Sequence, residues 1–86
     1  MPCVSRFFGI AIYFYYRDHS PPHFHAEYGD DEAQYSIMTL EVIYGSLPRR
    51  VHNLVLEWAD LHREELMEDW LLARKHKPLI DIEPLS

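Results

Sequence analysis

The sequence predicts an α+β fold: a small antiparallel sheet of about four strands, a meander, packed on one face by a C-terminal helix or bent helical pair. Two observations carry this. Up to Gly45, short β-branched and aromatic runs alternate with polar positions and are broken by Pro, Gly and Asp. From Ser46 the apolar residues recur at steps of three and four, the helical period. The chain divides into a strand-rich part over 6–45, a helical part over 46–77 and a C-terminal tail over 78–86, within one α+β domain over 1–86. A chain of 86 residues has no room for two cores, and one this short buries roughly 60–65% of the surface its unfolded form exposes.

The run Phe7 to Tyr16 is the first expected strand. Ile10, Ile12, Phe14 and Tyr16 form the row that reads as core, while Ala11, Tyr13 and Tyr15 form a half-exposed aromatic row. Arg17 to Pro22 must break this strand, because neither Pro21 nor Pro22 can donate a ladder hydrogen bond. Each proline also holds the residue before it extended, so the loop is stiff. Phe24 to Tyr28 is a second strand, and Gly29-Asp30-Asp31 a turn. Glu32 to Met38 is a third strand, and Glu41 to Tyr44 a fourth, ended by Gly45. Short connections between consecutive strands imply antiparallel pairing.

Ser46 is placed to cap a helix, with Pro48 in its first turn. Val51, Leu54, Val55, Trp58, Leu61, Leu66, Trp70 and Ala73 then make one apolar stripe. Polar residues cluster at Asp60 to Glu65, so one long helix and two with a bend both fit. Pro78 stops the helix, and the tail brings Leu79, Ile80, Ile82 and Leu85 to pack back or form a strand.

Composition narrows the function classes. The formal net charge of −6 argues against a mainly electrostatic grip on nucleic acid, leaving RNA disfavoured except at a local basic patch. The single cysteine, Cys3, excludes an intramolecular disulfide framework and reads as an inert thiol in a reducing compartment. No charged-then-apolar leader pattern is present, and the apolar run at Phe7 to Tyr16 is too short to span a bilayer. These features point to a cytoplasmic protein with no membrane partner.

The chemistry concentrates at Asp18-His19-Ser20-Pro21-Pro22-His23-Phe24-His25-Ala26-Glu27. In an extended segment His23, His25 and Glu27 line one face, and Phe24, Ala26 and Tyr28 the other. The polar row reads as an open, accessible face. Imidazoles and carboxylates are the side chains that bind divalent ions such as zinc or move protons. Neighbours two apart on a strand lie roughly 6.5–7 Å apart at Cα, so three ligands in a row strain a site. His23, His25 and Asp18 make the better metal set, with His19 nearby. Without a metal, His23 or His25 would act as general acid or base, oriented by Asp18 or Glu27. Acting on RNA, Tyr13 and Tyr15 would then stack bases and Arg6, Arg17, Arg49 or Arg50 would hold phosphates, with Arg49 and Arg50 at a helix start forming an anion site. The plainer alternative is that the histidines are polar cover on an exposed face and Arg49-Arg50 a solvated first turn. His52 and His76 read as surface, and His62 as a helix-bend or interface residue.

One resemblance covers essentially the whole chain. Ser5-Arg6-Phe7, the string Asp18-His19-Ser20-Pro21-Pro22-His23-Phe24-His25 and Leu56-Glu57-Trp58-Ala59 are similar to domain-of-unknown-function family 4160. So are Trp70 with Ala73-Arg74, and Ile82-Glu83-Pro84-Leu85. These are short prokaryotic proteins. The turn Gly29-Asp30-Asp31-Glu32 is more acidic than the resemblance leads one to expect. The resemblance implies a small paired gene, reminiscent of toxin–antitoxin modules, and a protein partner encoded beside it; it assigns no catalytic residue. Two expectations follow. One is a binding module that meets its partner through Tyr13, Tyr15 and Tyr44, with homodimers also possible. The other is a metal- or histidine-dependent small hydrolase acting on RNA phosphodiesters.

Overall fold

The structure is a computed structural model and describes residues 2–86. Five strands, β1 (Cys3–Phe7), β2 (Ile10–Tyr13), β3 (His23–Tyr28), β4 (Asp31–Ser36) and β5 (Val42–Gly45), are followed by helices α1 (Arg49–Leu61) and α2 (Arg63–Arg74). The strands lie in chain order, each antiparallel to the next. The α+β meander is therefore present, with one strand more than the four expected.

The extra strand comes from the expected first one. Phe7 pairs with Ile10, leaving Phe8-Gly9 as a two-residue turn with φ of 49° and 81°. Two consecutive positive φ values match the twist of the flanking strands, and Gly9 takes its place there without steric penalty. The run of apolar residues through this turn hides it from a periodicity reading. The strand also ends at Tyr13, three residues early, so Tyr16 is exposed rather than core. β4 stops at Ser36 instead of Met38, because Leu40 N–H turns back onto Ser36 O.

One sheet face is the core. Ile10, Ile12, Phe24, Ala26, Ala33 and Tyr35 are buried against Val51, Val55 and Trp58 of α1 and Leu66 and Trp70 of α2. Trp58 is central, with Phe7 at 5.2 Å and Phe24 at 6.1 Å between ring centroids. Fully burying a side chain of that size is worth several kcal/mol.

The helical half is two helices that meet at His62, whose φ of −126° and ψ of 28° break the α-helical path. Polar contacts consume this segment: Arg63 Nε donates to Asp60 and Arg63 Nη1 to Met38 O. The break also turns Leu61 outward, so it drops out of the apolar stripe. Ser46 does not cap α1; Pro48 occupies that position and makes no side-chain cap bond. Its missing N–H removes one donor that would otherwise need a partner.

The tail packs back along the outer side of β1. Ile82 N–H donates to Val4 O at 2.8 Å, and Trp58 Nε1–H to Glu83 O at 2.8 Å. One sheet edge is thereby covered, whereas β5 at the other edge exposes every residue. Among the described residues, no helix is long and apolar enough to cross a membrane.

Candidate metal centre

The face of the sheet away from the core carries the histidines, and it is not open. His23 and His25 are only 4% and 2% exposed, which corrects the expectation of an accessible row. The cover is mainly the stiff loop between β2 and β3, which contains the cis Ser20–Pro21 peptide. It folds over the start of β3 and is tied there by Ile37 N–H donating to Pro22 O. Trp70 of α2 adds a wall beside His23, at 5.2 Å between centroids.

Asp18 is brought back over both imidazoles. Its Oδ2 lies 2.8 Å from His25 Nε2 and 3.0 Å from His23 Nε2. The far nitrogens are also engaged. His23 Nδ1 is 2.7 Å from Pro21 O, and His25 Nδ1 is 3.2 Å from Glu32 Oε2. A carbonyl only accepts, so His23 Nδ1 carries the hydrogen; His25 lies between two carboxylates, with Asp18 the nearer, and presents a bare Nε2 to Asp18 when its hydrogen sits on Nδ1 toward Glu32. The two Nε2 atoms are then left facing one carboxylate oxygen. Among the described residues His23 Nε2, although close to Asp18, has no hydrogen-bond partner, and it is sealed from solvent. Lone pairs pointed at a carboxylate repel it unless a proton or a metal ion sits between them.

The three ligand atoms lie within 4.8 Å of one another. Two imidazoles and one carboxylate suit Zn²⁺ and similar divalent ions. Hydrogen bonds from the outer imidazole nitrogens to a carboxylate or carbonyl are what orient metal-binding histidines. The donor set present here fits such an ion on both counts.

Electrostatics favour a charged Asp18. Burial pushes its carboxyl up, but the hydrogen bonds from His25 and from the His19 backbone N–H, with the nearby imidazoles, outweigh this and hold it below the usual carboxylate range. Tyr13 goes the other way: burial, then its hydrogen bond to Glu32, keep the phenol protonated far above its ordinary range.

The other expected residues separate into those at the cluster and those away from it. Tyr13 is buried, not half-exposed, and stacks on His25 at 5.2 Å. Tyr15 is exposed and meets the His25 ring edge-on at 4.5 Å. His19 is exposed and contributes its backbone N–H to Asp18 Oδ1. Glu27 shares the face but sits opposite Ala11 and Glu32, at the far end of β3 from Asp18. Arg49 and Arg50 lie on α1, lining a shallow depression with Asn53, Leu54 and Glu57 that includes no residue of the cluster. His52 is not merely surface, because its Nδ1 and the Tyr35 hydroxyl are 2.8 Å apart.

Glu32 is the residue that sequence reasoning missed. The sequence marks it only as part of an acidic turn and the start of the third strand, yet its Oε2 meets both His25 Nδ1 and the Tyr13 hydroxyl, the latter donating at 2.8 Å. The signal was available. The hairpin pairs Tyr28 with Asp31, which places Glu32 opposite Glu27 and diagonal to His25 on the same face.

The profile of the family described as "Domain of unknown function (DUF4160)" matches residues 9–71. The chain belongs to that family. The matched span runs from the first hairpin turn to α2, so it includes the loop, Asp18, His23, His25 and Glu32. No curated protein and no solved structure gives a significant match.

Proposed function

We propose that the chain is a divalent-metal-binding protein in which Asp18 Oδ2, His23 Nε2 and His25 Nε2 hold the ion. The observation that carries this is the pair of buried Nε2 atoms converging on one carboxylate oxygen while both Nδ1 atoms are engaged elsewhere. Pro21 O and Glu32 orient the rings, and Tyr13 and Tyr15 shield the His25 side. When bound, such an ion supplies Lewis acidity and a more acidic bound water, the chemistry used in phosphodiester hydrolysis. Three protein ligands leave room in the coordination sphere for that water.

The test is elemental analysis of protein made without an affinity tag, followed by Co²⁺ substitution and absorption spectroscopy. One ion per chain, lost in Asp18→Asn and His25→Ala, is the expected result. Untagged protein that stays metal-free in zinc-containing buffer would overturn the reading.

A second reading, membership of a two-protein module, is favoured by β5. This edge strand exposes Val42, Ile43 and Tyr44 and, among the described residues, has no neighbouring strand on its outer side. Unpaired backbone groups flanked by apolar side chains are a template for a strand from another protein. Tyr13, being buried, has no part in such an interface; Tyr44 does. Co-purification with the product of an adjacent gene, lost in Ile43→Lys, is the corresponding test.

A further inference from the structure

The loop that covers the histidines meets the C-terminal end of α2. Tyr16 stacks on His76 at 5.2 Å with 11° between ring planes, and Arg74 Nη1 reaches Ser20 Oγ at 3.5 Å. The join gathers Arg17, Arg74, Lys75 and Lys77, half of the eight Lys and Arg residues in the chain. Only one carboxylate, Asp18, belongs to these two segments, and it is turned toward the imidazoles.

Two ordinary uses of those cations fail. The first is charge pairing. Among the described residues, Arg63 is the one Lys or Arg in an ion pair, so all four of these charges are unpaired although acids outnumber bases in the chain. The second is closure of the helix end. Backbone groups already do that: Lys77 N–H donates to Leu72 O, His76 N–H to Ala73 O and Lys75 N–H to Leu71 O. With His76 at φ 57°, this is a Schellman arrangement that does not call on the basic side chains; Arg74 lies over the Trp70 ring at 5.8 Å, which leaves its charge unneutralised.

Exposed rings stand among the cations. Tyr15 and Tyr16 are 40% and 41% exposed, and each is held by a second ring, His25 and His76 respectively. A ring fixed in this way offers stacking area with little loss of freedom on binding. Phosphate-matching cations interleaved with stacking platforms are the features by which proteins hold unpaired bases and their backbone.

We propose that the Tyr15–Ser20 loop and the Arg74–Lys77 helix end together bind single-stranded nucleic acid. The excess acidity lies on the rest of the molecule, where it repels the strand and confines it to this patch. The surface does not depend on the metal reading, because none of its cations or exposed rings is a proposed ligand.

The experiment is fluorescence anisotropy of a short labelled single-stranded RNA with the full chain, titrated in EDTA and again with Zn²⁺, over a range of salt. Engagement of four phosphates predicts a slope of log affinity against log salt of about −3. The Lys75→Gln/Lys77→Gln double variant, changed only at exposed positions, reduces the magnitude of that slope by about 1.4, and Tyr16→Ala weakens binding roughly tenfold. Binding in EDTA separates this surface from the ion. The proposal is overturned by absence of saturable binding at low salt, by affinities that the variants leave unchanged, or by anionic vesicles bound as tightly as RNA with no effect of Tyr16→Ala.

Discussion

Glu32 and His25 stand on adjacent strands at positions that are not paired, yet Glu32 Oε2 lies 3.2 Å from His25 Nδ1. A hydrogen bond from Nδ1 to that carboxylate holds the ring hydrogen on the outer side and leaves the Nε2 lone pair for an ion beside Asp18. Replacing Glu32 by Gln keeps the shape but removes the charge. Outer-sphere changes of this kind weaken metal binding by about 10–100-fold. Competition with a chromophoric chelator measures it, and an unchanged affinity in Glu32→Gln would show that the carboxylate has no orienting role.

The lowered Asp18 carboxyl gives metal-free protein a defined acid response. Its folded pKa is below the unfolded value, so its contribution to stability is present above about pH 4, the ordinary Asp range, and is lost as pH falls through the folded value. Urea midpoints in EDTA at neutral and at strongly acid pH measure the loss. In Asp18→Asn this part of the acid response is absent. If wild type and Asp18→Asn lose stability in parallel over that range, Asp18 is not the group responsible.

Much of the fold was legible because its signals are local. The alternation in Phe24 to Tyr28 and in Ala33 to Tyr35, and the stripe through Val51, Val55 and Trp58, all lie within single elements. The Phe8-Gly9 turn was not, since Phe8 continues an apolar run and only its exposure distinguishes it. Asp18, His23 and His25 were legible as a set because the double proline constrains how the loop returns. Their burial was not, as it depends on the loop lying down on the sheet and on Trp70 arriving from α2, more than forty residues later. Glu32 required knowing the register of a hairpin, which alternation alone does not fix.

Asp69 should respond to pH in the opposite sense to Asp18. It is fully buried; Oδ1 accepts the Ile80 N–H at 2.8 Å, and Oδ2 has no partner among the described residues. Burial, with Glu68, Asp81 and Glu65 nearby, pushes its carboxyl up to about 6 despite the Ile80 bond. A folded pKa above the unfolded one means the stabilisation is full below about pH 4 and is lost as pH rises through about 6. At neutral pH the ionised group is a burden on the order of 1–3 kcal/mol. Asp69→Asn keeps the acceptor for Ile80 and removes the charge, so it should raise the thermal midpoint at pH 8 and have little effect at pH 4. Equal shifts at both pH values would mean that ionisation is not the cause.

Gly45 links the far edge of the sheet to the histidine cluster. Its φ is 76°, and a Cβ there would collide with the backbone carbonyl of Glu32, which also accepts the Ser46 N–H at 3.1 Å. Gly45→Ala must therefore strain the backbone and push β5 away from β4 at the residue that orients His25. The expected loss is about 1–3 kcal/mol of stability, accompanied by weaker metal binding. Gly29→Ala separates the two effects. Gly29 also has positive φ, at 58°, but a Cβ there meets nothing within 4 Å, so only a conformational cost of about 1 kcal/mol is expected. Chemical denaturation and the chelator competition, run on both variants, give the comparison. Metal affinity reduced in Gly45→Ala and retained in Gly29→Ala would place the effect on Glu32; equal affinities in the two would confine Gly45 to holding the β4–β5 edge.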